Sequence, residues 1–219
     1  MTTAPTGFPL PLRNALAALA IAALDDPGAR DALSWLAAGS ADPAPLAVRA
    51  PLVTHLVVEP DGTLLDVHRA HGERMQAHAA RALRAANAFR ASANADAVTA
   101  AVDRSIALWN ERLFFEVHEV LEAEWKRTSG DVRQALQGVI QIAVALHHHA
   151  HGNPRGARTL MHEGRGRLAA CAAALPSLDA AALLAATAPW EDALVAGTAE
   201  RDAAPPTLRS AASHGAVRP

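Results

Sequence analysis

The chain reads as an all-α protein, a helical bundle of up-down antiparallel helices with room for one small β-hairpin. Three observations carry this. Of the 219 residues 51% are hydrophobic but only 4% aromatic, and much of the apolar share is alanine, which loses no side-chain entropy in a helix. Long segments repeat apolar residues at helical spacing, and short Gly, Pro, Asn, Asp and Ser runs separate them as stop and start signals. Only Leu52 to Val58 forms a clearly β-branched run.

The bulk properties narrow the classes of function. A mass of 22.8 kDa is enough for one full hydrophobic core with a small appendage. A net charge of −2 and an isoelectric point near 6.6 argue against a dedicated nucleic-acid or acidic-membrane binder. No stretch approaches the roughly 20 apolar residues that span a bilayer. The apolar run Asn14 to Leu24 is followed by Asp25 and Asp26, not by the small residues of a cleavage site. Cys171 is the single cysteine and sits in an alanine and leucine run, as a small buried filler would. These features point to a soluble, cytoplasmic protein. They permit a homo-oligomer and argue against a membrane partner.

Residues 1–11 are rich in Thr, Pro and Gly and are expected to be disordered. Pro11 suits the first turn of a helix to about Leu24, with Leu12, Leu16 and Leu19 on one face. Asp25 to Gly28 breaks it, and a second helix runs from Ala29 to Ala38 before Gly39. Ser40 to Pro51 holds three prolines and reads as a loop. Leu52 to Val58, the turn Glu59-Pro60-Asp61-Gly62, and Thr63 to Val67 together predict a small hairpin over 52–67.

From Val67 to about Ala91 a long helix is expected, with His68, His71, Met75 and His78 along one stripe. The three histidines suit a metal, but no carboxylate joins them, so an arginine-laced surface face is preferred. Another helix is expected over Ala97 to Lys126, with a break near Asp103. Helices over Val132 to Ala150 and Pro154 to Leu175 follow, the latter opened by Gly152-Asn153-Pro154. Short loops make these three antiparallel neighbours. Pro176 and Thr187 each start a further helix, and the last ends near Gly197. The expected organisation is a helical region with the hairpin over 12–100, a bundle domain over 101–197 and a disordered tail over 198–219.

Chemistry concentrates between Phe114 and Trp125, twelve residues holding four glutamates, one histidine and three large aromatics. Glu111, Phe115, His118, Glu122 and Trp125 share a narrow helical stripe. His118 and Glu122 are four apart and can touch, and Glu119 lies at the stripe's edge. Glu116 and Glu124 read as solvent-facing. On the next helix Gln137, Gln141 and His148 recur on one face, and Gly138 implies a close helix–helix approach. Antiparallel pairing puts Trp125 near residue 133 and His118 near 141. A polar pocket of His118, Glu122, Glu111, Trp125, Gln137, Gln141 and His148 is the expectation.

The run Phe114-Phe115-Glu116, His118-Glu119, Glu122 and Trp125 resembles the signature of the domain-of-unknown-function 309 family, small helical prokaryotic proteins. Leu136-Gln137-Gly138-Val139-Ile140-Gln141, Ala143, Ala145, His148 and Gly152-Asn153-Pro154 with Gly156-Ala157 continue the likeness. It covers about Asp103 to Leu168, a third of the chain. Leu121 stands where the pattern carries an aromatic or larger residue. The resemblance implies a compact all-helical fold and no established activity.

Three functions compete for the cluster. His118, Glu122 and His148 could ligate a divalent metal between facing helices, with Glu119 in place of Glu122 as a variant. His118, Glu119 and Glu122 could instead do hydrolase-like acid/base work, although no activated serine or cysteine joins them. The preferred reading is a hydrogen-bonded Glu–His–Gln network that sets helix register, in a binding or interaction module. Of the consecutive histidines 147–149, only His147 shares a face with His151, at the solvent end of its helix. Arg155, Arg158 and Arg165 with His162 form a basic stripe, read as a solvated face over a phosphate or RNA contact.

Overall fold

The fold is that of a computed structural model, described here for residues 7–200 and 203–211. Ten α-helices and no β-strand occur among the described residues, so the protein is all-α. None of these helices is long and apolar enough to cross a membrane. The chain divides into two compact units, Met1–Phe89 and Arg90–Pro219.

In the first unit, α1 (Leu10–Ala22) carries Pro11 in its first turn and buries Leu12, Leu16 and Leu19. The helix thus begins inside the stretch expected to be disordered, whose residues 1–6 lie outside the described chain. The Asp26 carboxylate accepts from the Gly28 N–H at 2.8 Å and caps α2 (Pro27–Ala38). Gly39 closes α2 in the left-handed conformation (φ 64°) that glycine adopts without strain.

The expected hairpin is replaced by helix and turn. α3 (Leu46–Thr54) takes up the first half, burying Val48 and Leu52, and packs on α2. Burial overrides the β-propensity of its branched residues. The Glu59–Gly62 turn does form, closed by Gly62 N–H to Glu59 C=O at 2.8 Å, but it supports only one antiparallel bridge, Val58 to Leu64.

The expected long helix is also broken. α4 (Asp66–Arg69) and α5 (Gly72–Ala88) are separate, with His71 as the α5 N-cap. His68 is buried and donates from Nε2 to Leu56 C=O at 3.0 Å. His71 Nδ1 accepts from Arg74, and buried His78 meets the Phe8 ring edge-on at 5.8 Å. His71 also meets the Phe8 ring edge-on, at 6.2 Å, while His68 turns to the Leu56 carbonyl.

In the second unit, Asp96 caps α6 (Ala97–Asn110) through the Thr99 N–H at 2.7 Å. The chain is continuous through Asp103, whose buried carboxylate instead accepts from the Ser92 N–H. The break comes at Glu111 to Leu113. Arg112 takes φ 58°, Leu113 N–H bonds Leu108 C=O at 3.0 Å and Arg112 N–H bonds Trp109 C=O at 2.8 Å. That pair of bonds is a Schellman stop built without glycine, and buried Leu108 and Leu113 supply its apolar clasp. Left-handed arginine costs about 1–2 kcal/mol, which the clasp must offset.

α7 (Phe114–Trp125), α8 (Gly130–Ala150) and α9 (Pro154–Cys171) then pack in sequence. Residue pairs fix antiparallel order on both sides of α8. Phe115 meets His147 and Trp125 meets Arg133 across α7 and α8. Gln134 bonds Arg167 and Gln141 bonds Glu163 across α8 and α9. Asn153 caps α9, as expected, by accepting from the Gly156 N–H at 3.0 Å.

α10 (Ala180–Ala196), reached through a 3-10 turn at Ala172–Ala174, is one helix where two were expected. Pro189 lies inside it without ending it. Arg165 donates to Leu184 C=O, and the Thr187 hydroxyl bonds Leu183 C=O at 2.8 Å, so side chains satisfy carbonyls near the proline. Of the tail expected over 198–219, residues 201–202 and 212–219 lie outside the described chain, and 203–211 make defined contacts. Trp109 Nε1–H donates to Pro206 C=O at 2.6 Å, Asn110 bonds Leu208 in both directions, and Leu178 bridges Ser210.

Candidate metal site

α7 is the chemically richest helix, and its two faces do different work. Phe114, Glu116, Val117, Val120 and Leu121 are buried. Phe114 packs edge-on against Trp109 at 5.4 Å. Leu121 is 1% exposed. Glu116, read as solvent-facing, is 2% exposed. Its position beside Val117 in the first helical turn, where a carboxylate suits the helix dipole, gave no sign of this burial.

The other face carries the cluster. His118 Nδ1 lies 3.0 Å from a Glu119 oxygen, and Glu122 accepts from Lys126 Nζ at 2.8 Å. Side-chain exposures of 28% for His118, 41% for Glu119 and 32% for Glu122 place the group at a half-buried surface. One ligand atom from each of the three lies within 4.8 Å of the others. The hydrogen bond from Lys126 holds the Glu122 carboxyl below its usual range, with the Lys126 and His118 charges adding to the effect against a smaller push from desolvation. Phe115 forms one wall, stacked near-parallel to the His118 ring at 6.1 Å and 6.3 Å from His147.

The helix register is as expected but the polar partners are not. Trp125 does meet residue 133, with the Arg133 guanidinium 3.8 Å from the ring centre. The indole Nε1 is buried with no hydrogen-bond partner among the described residues. Gln141, expected against His118, turns the other way and donates to Glu163 on α9 at 2.8 Å. Gly138, one turn earlier on the same face, explains why: that face is the α9 seam. A Cβ on Gly138 would lie 2.8 Å from the Leu168 nitrogen.

The remaining candidates disperse. His148 is engaged by Asn153 at 3.2 Å, near the α9 cap. Glu111 sits at the α6 stop, not on the α7 stripe, because the helix breaks there. Gln137 is half-buried on α8. Glu124, also read as solvent-facing, is 15% exposed and pairs with Arg127. The buried Glu–His–Gln network is therefore corrected to two separate groups, His118–Glu119–Glu122 and Gln141–Glu163. Of the three expected metal ligands, His118 and Glu122 come together, Glu119 completes the set and His148 does not join.

His147 and His151 do share a face, with ring centres 4.1 Å apart. The basic stripe on α9 is divided: Arg155 and Arg158 are exposed, while Arg165 turns to α10 and bonds Glu191 at 2.6 Å.

The second unit is helical and brings one histidine and two glutamates together on a single helix. Residues 102–160 match the family described as Domain of unknown function (DUF309). The chain is also 41% identical over 61 residues to the Uncharacterized protein YpuF of Bacillus subtilis (strain 168). That match takes in 27% of this chain and spans about a third (35%) of the relative. No solved structure matches the chain. The cluster lies inside the matched segment, and neither description assigns it a reaction.

Proposed function

We propose that the protein is a helical binding module that holds a divalent transition-metal ion on α7 through His118, Glu119 and Glu122. The observation that supports this is the convergence of three donor groups from little more than one helical turn, with ligand atoms within 4.8 Å of one another. Imidazole with two carboxylates suits zinc, iron(II) or manganese. Three protein donors on one exposed face leave coordination positions for water or for a group on a binding partner. Metal must displace Lys126 from Glu122, which costs little because that pair is exposed. The single cysteine supports a reducing, cytoplasmic setting.

Zinc titration of tag-free, chelator-stripped protein tests the reading. One equivalent should bind the native chain, and His118→Ala and Glu122→Gln should each abolish binding while keeping the native helical spectrum. Binding that is unchanged in both variants would remove the site.

A further inference from the structure

The first unit holds a half-open cavity of about 280 Å³ where the end of α2, the Thr63–Leu64 segment and the start of α5 meet. We propose that it is a second ligand site, independent of α7, for a small carboxylate with a flat apolar body. Trp35, Leu36, Leu64 and Met75 line it, and Leu36 and Met75 belong to the buried core, so its floor is fixed. An aromatic ring, two aliphatic chains and a thioether offer dispersion and sulfur–aromatic contact to a planar ligand.

Ser40, Thr63, Arg69 and Gln76 supply the polar side chains of the cavity lining. Among the described residues Arg69 is the only charged side chain lining it, and Gln76 adds a neutral amide. Gln76 lies against Gly39, where a Cβ would collide with the amide, so the glycine both ends α2 and makes space for that donor. Gly72 faces open space, with no atom within 4 Å of a Cβ built there. A guanidinium fork beside an amide matches a carboxylate. Among the described residues Arg69 is held only by Asp66 at 2.7 Å, in a pair whose side chains are 62% and 88% exposed. Such a pair is worth little, so a ligand carboxylate can take its place. An apolar cleft with a small number of convergent polar groups is the usual make-up of a small-molecule site.

The test uses the full chain, indole-3-acetate and its neutral isostere indole-3-acetamide, followed by two-dimensional amide NMR. Indole-3-acetate should shift the Trp35 indole N–H and the Gly72 amide saturably. The acetamide should bind about tenfold more weakly, the size expected for losing one charge-assisted hydrogen bond. Arg69→Gln, at an exposed position, should erase that preference, and Asp66→Asn should tighten the acetate by freeing the guanidinium. No saturable shift at these two groups, equal affinity for acid and amide, or a preference that survives Arg69→Gln would overturn the proposal.

Discussion

Gly138 on α8 and Gly164 on α9 face each other at backbone contact. A Cβ built on Gly164 would lie 2.8 Å from the Gly138 carbonyl oxygen, and one built on Gly138 would lie 2.9 Å from that of Gly164. Neither neighbour is a flexible side-chain tip that can swing away. The two helices are thus held at a separation that only glycine permits, and this seam draws Gln141 toward Glu163 and away from His118.

Alanine at either position should therefore destabilise the protein. Overpacking costs about 1–3 kcal/mol, and the better helix propensity of alanine returns up to about 1 kcal/mol of it. Gly166 is the control, since a Cβ there meets nothing within 4 Å. Gly166→Ala should raise the melting temperature while Gly138→Ala and Gly164→Ala lower it, as thermal denaturation by circular dichroism would show.

The segment after α10 should contribute to stability through Leu208, which is 2% exposed. Leu208→Ala should cost about 2–4 kcal/mol. Asn110→Ala removes both bonds to the Leu208 backbone and should cost about 1–3 kcal/mol, since buried partners lose their hydrogen bonds. Denaturant titration with unchanged slope would check both.

Glu191 links α10 to α9 through His162 and Arg165. Burial pushes its carboxyl up, but the hydrogen bonds and charges of His162 and Arg165 outweigh it and hold the carboxyl below the ordinary 4.5. A depressed carboxylate stabilises the fold above its unfolded-state pKa, and that contribution disappears as pH falls through the lower folded-state value. The stability gap between the native chain and Glu191→Gln should be full at neutral pH and should shrink below about pH 4.5 as the carboxylate protonates. Urea titrations across pH 3 to 7 would measure it.

Lys126 bonds Glu122 and would compete with the proposed metal for that carboxylate. Lys126→Ala should tighten zinc binding up to about fivefold, the range an exposed ion pair allows, with little change in melting temperature. Competition titration against a chelating dye would read the difference.

Much of the helical framework was legible in the residues themselves. Asn153 caps α9 and Gly39 ends α2 as expected, while Asp26 caps α2 from within the stretch read only as a break. The α7–α8 register followed from loop length, and Trp125 meets Arg133. What escaped depends on tertiary context. Arg112 stops α6 with no glycine or proline to announce it, because the apolar clasp of Leu108 and Leu113 does that work. The branched run before Val58 enters α3 because α2 offers it an apolar face. Within the site, the periodicity of α8 put Gln141 on a polar-spotted face without saying which neighbour that face meets. Glu116 showed no pattern that distinguishes a buried carboxylate from an exposed one on the same turn.

The α7 cluster is tested most directly by the metal content of the protein as isolated, purified without an affinity tag and measured by plasma mass spectrometry. Close to one equivalent of zinc, iron or manganese per chain is expected, falling to background in His118→Ala with the fold intact. A native chain at background, or a metal content that His118→Ala leaves unchanged, would contradict it.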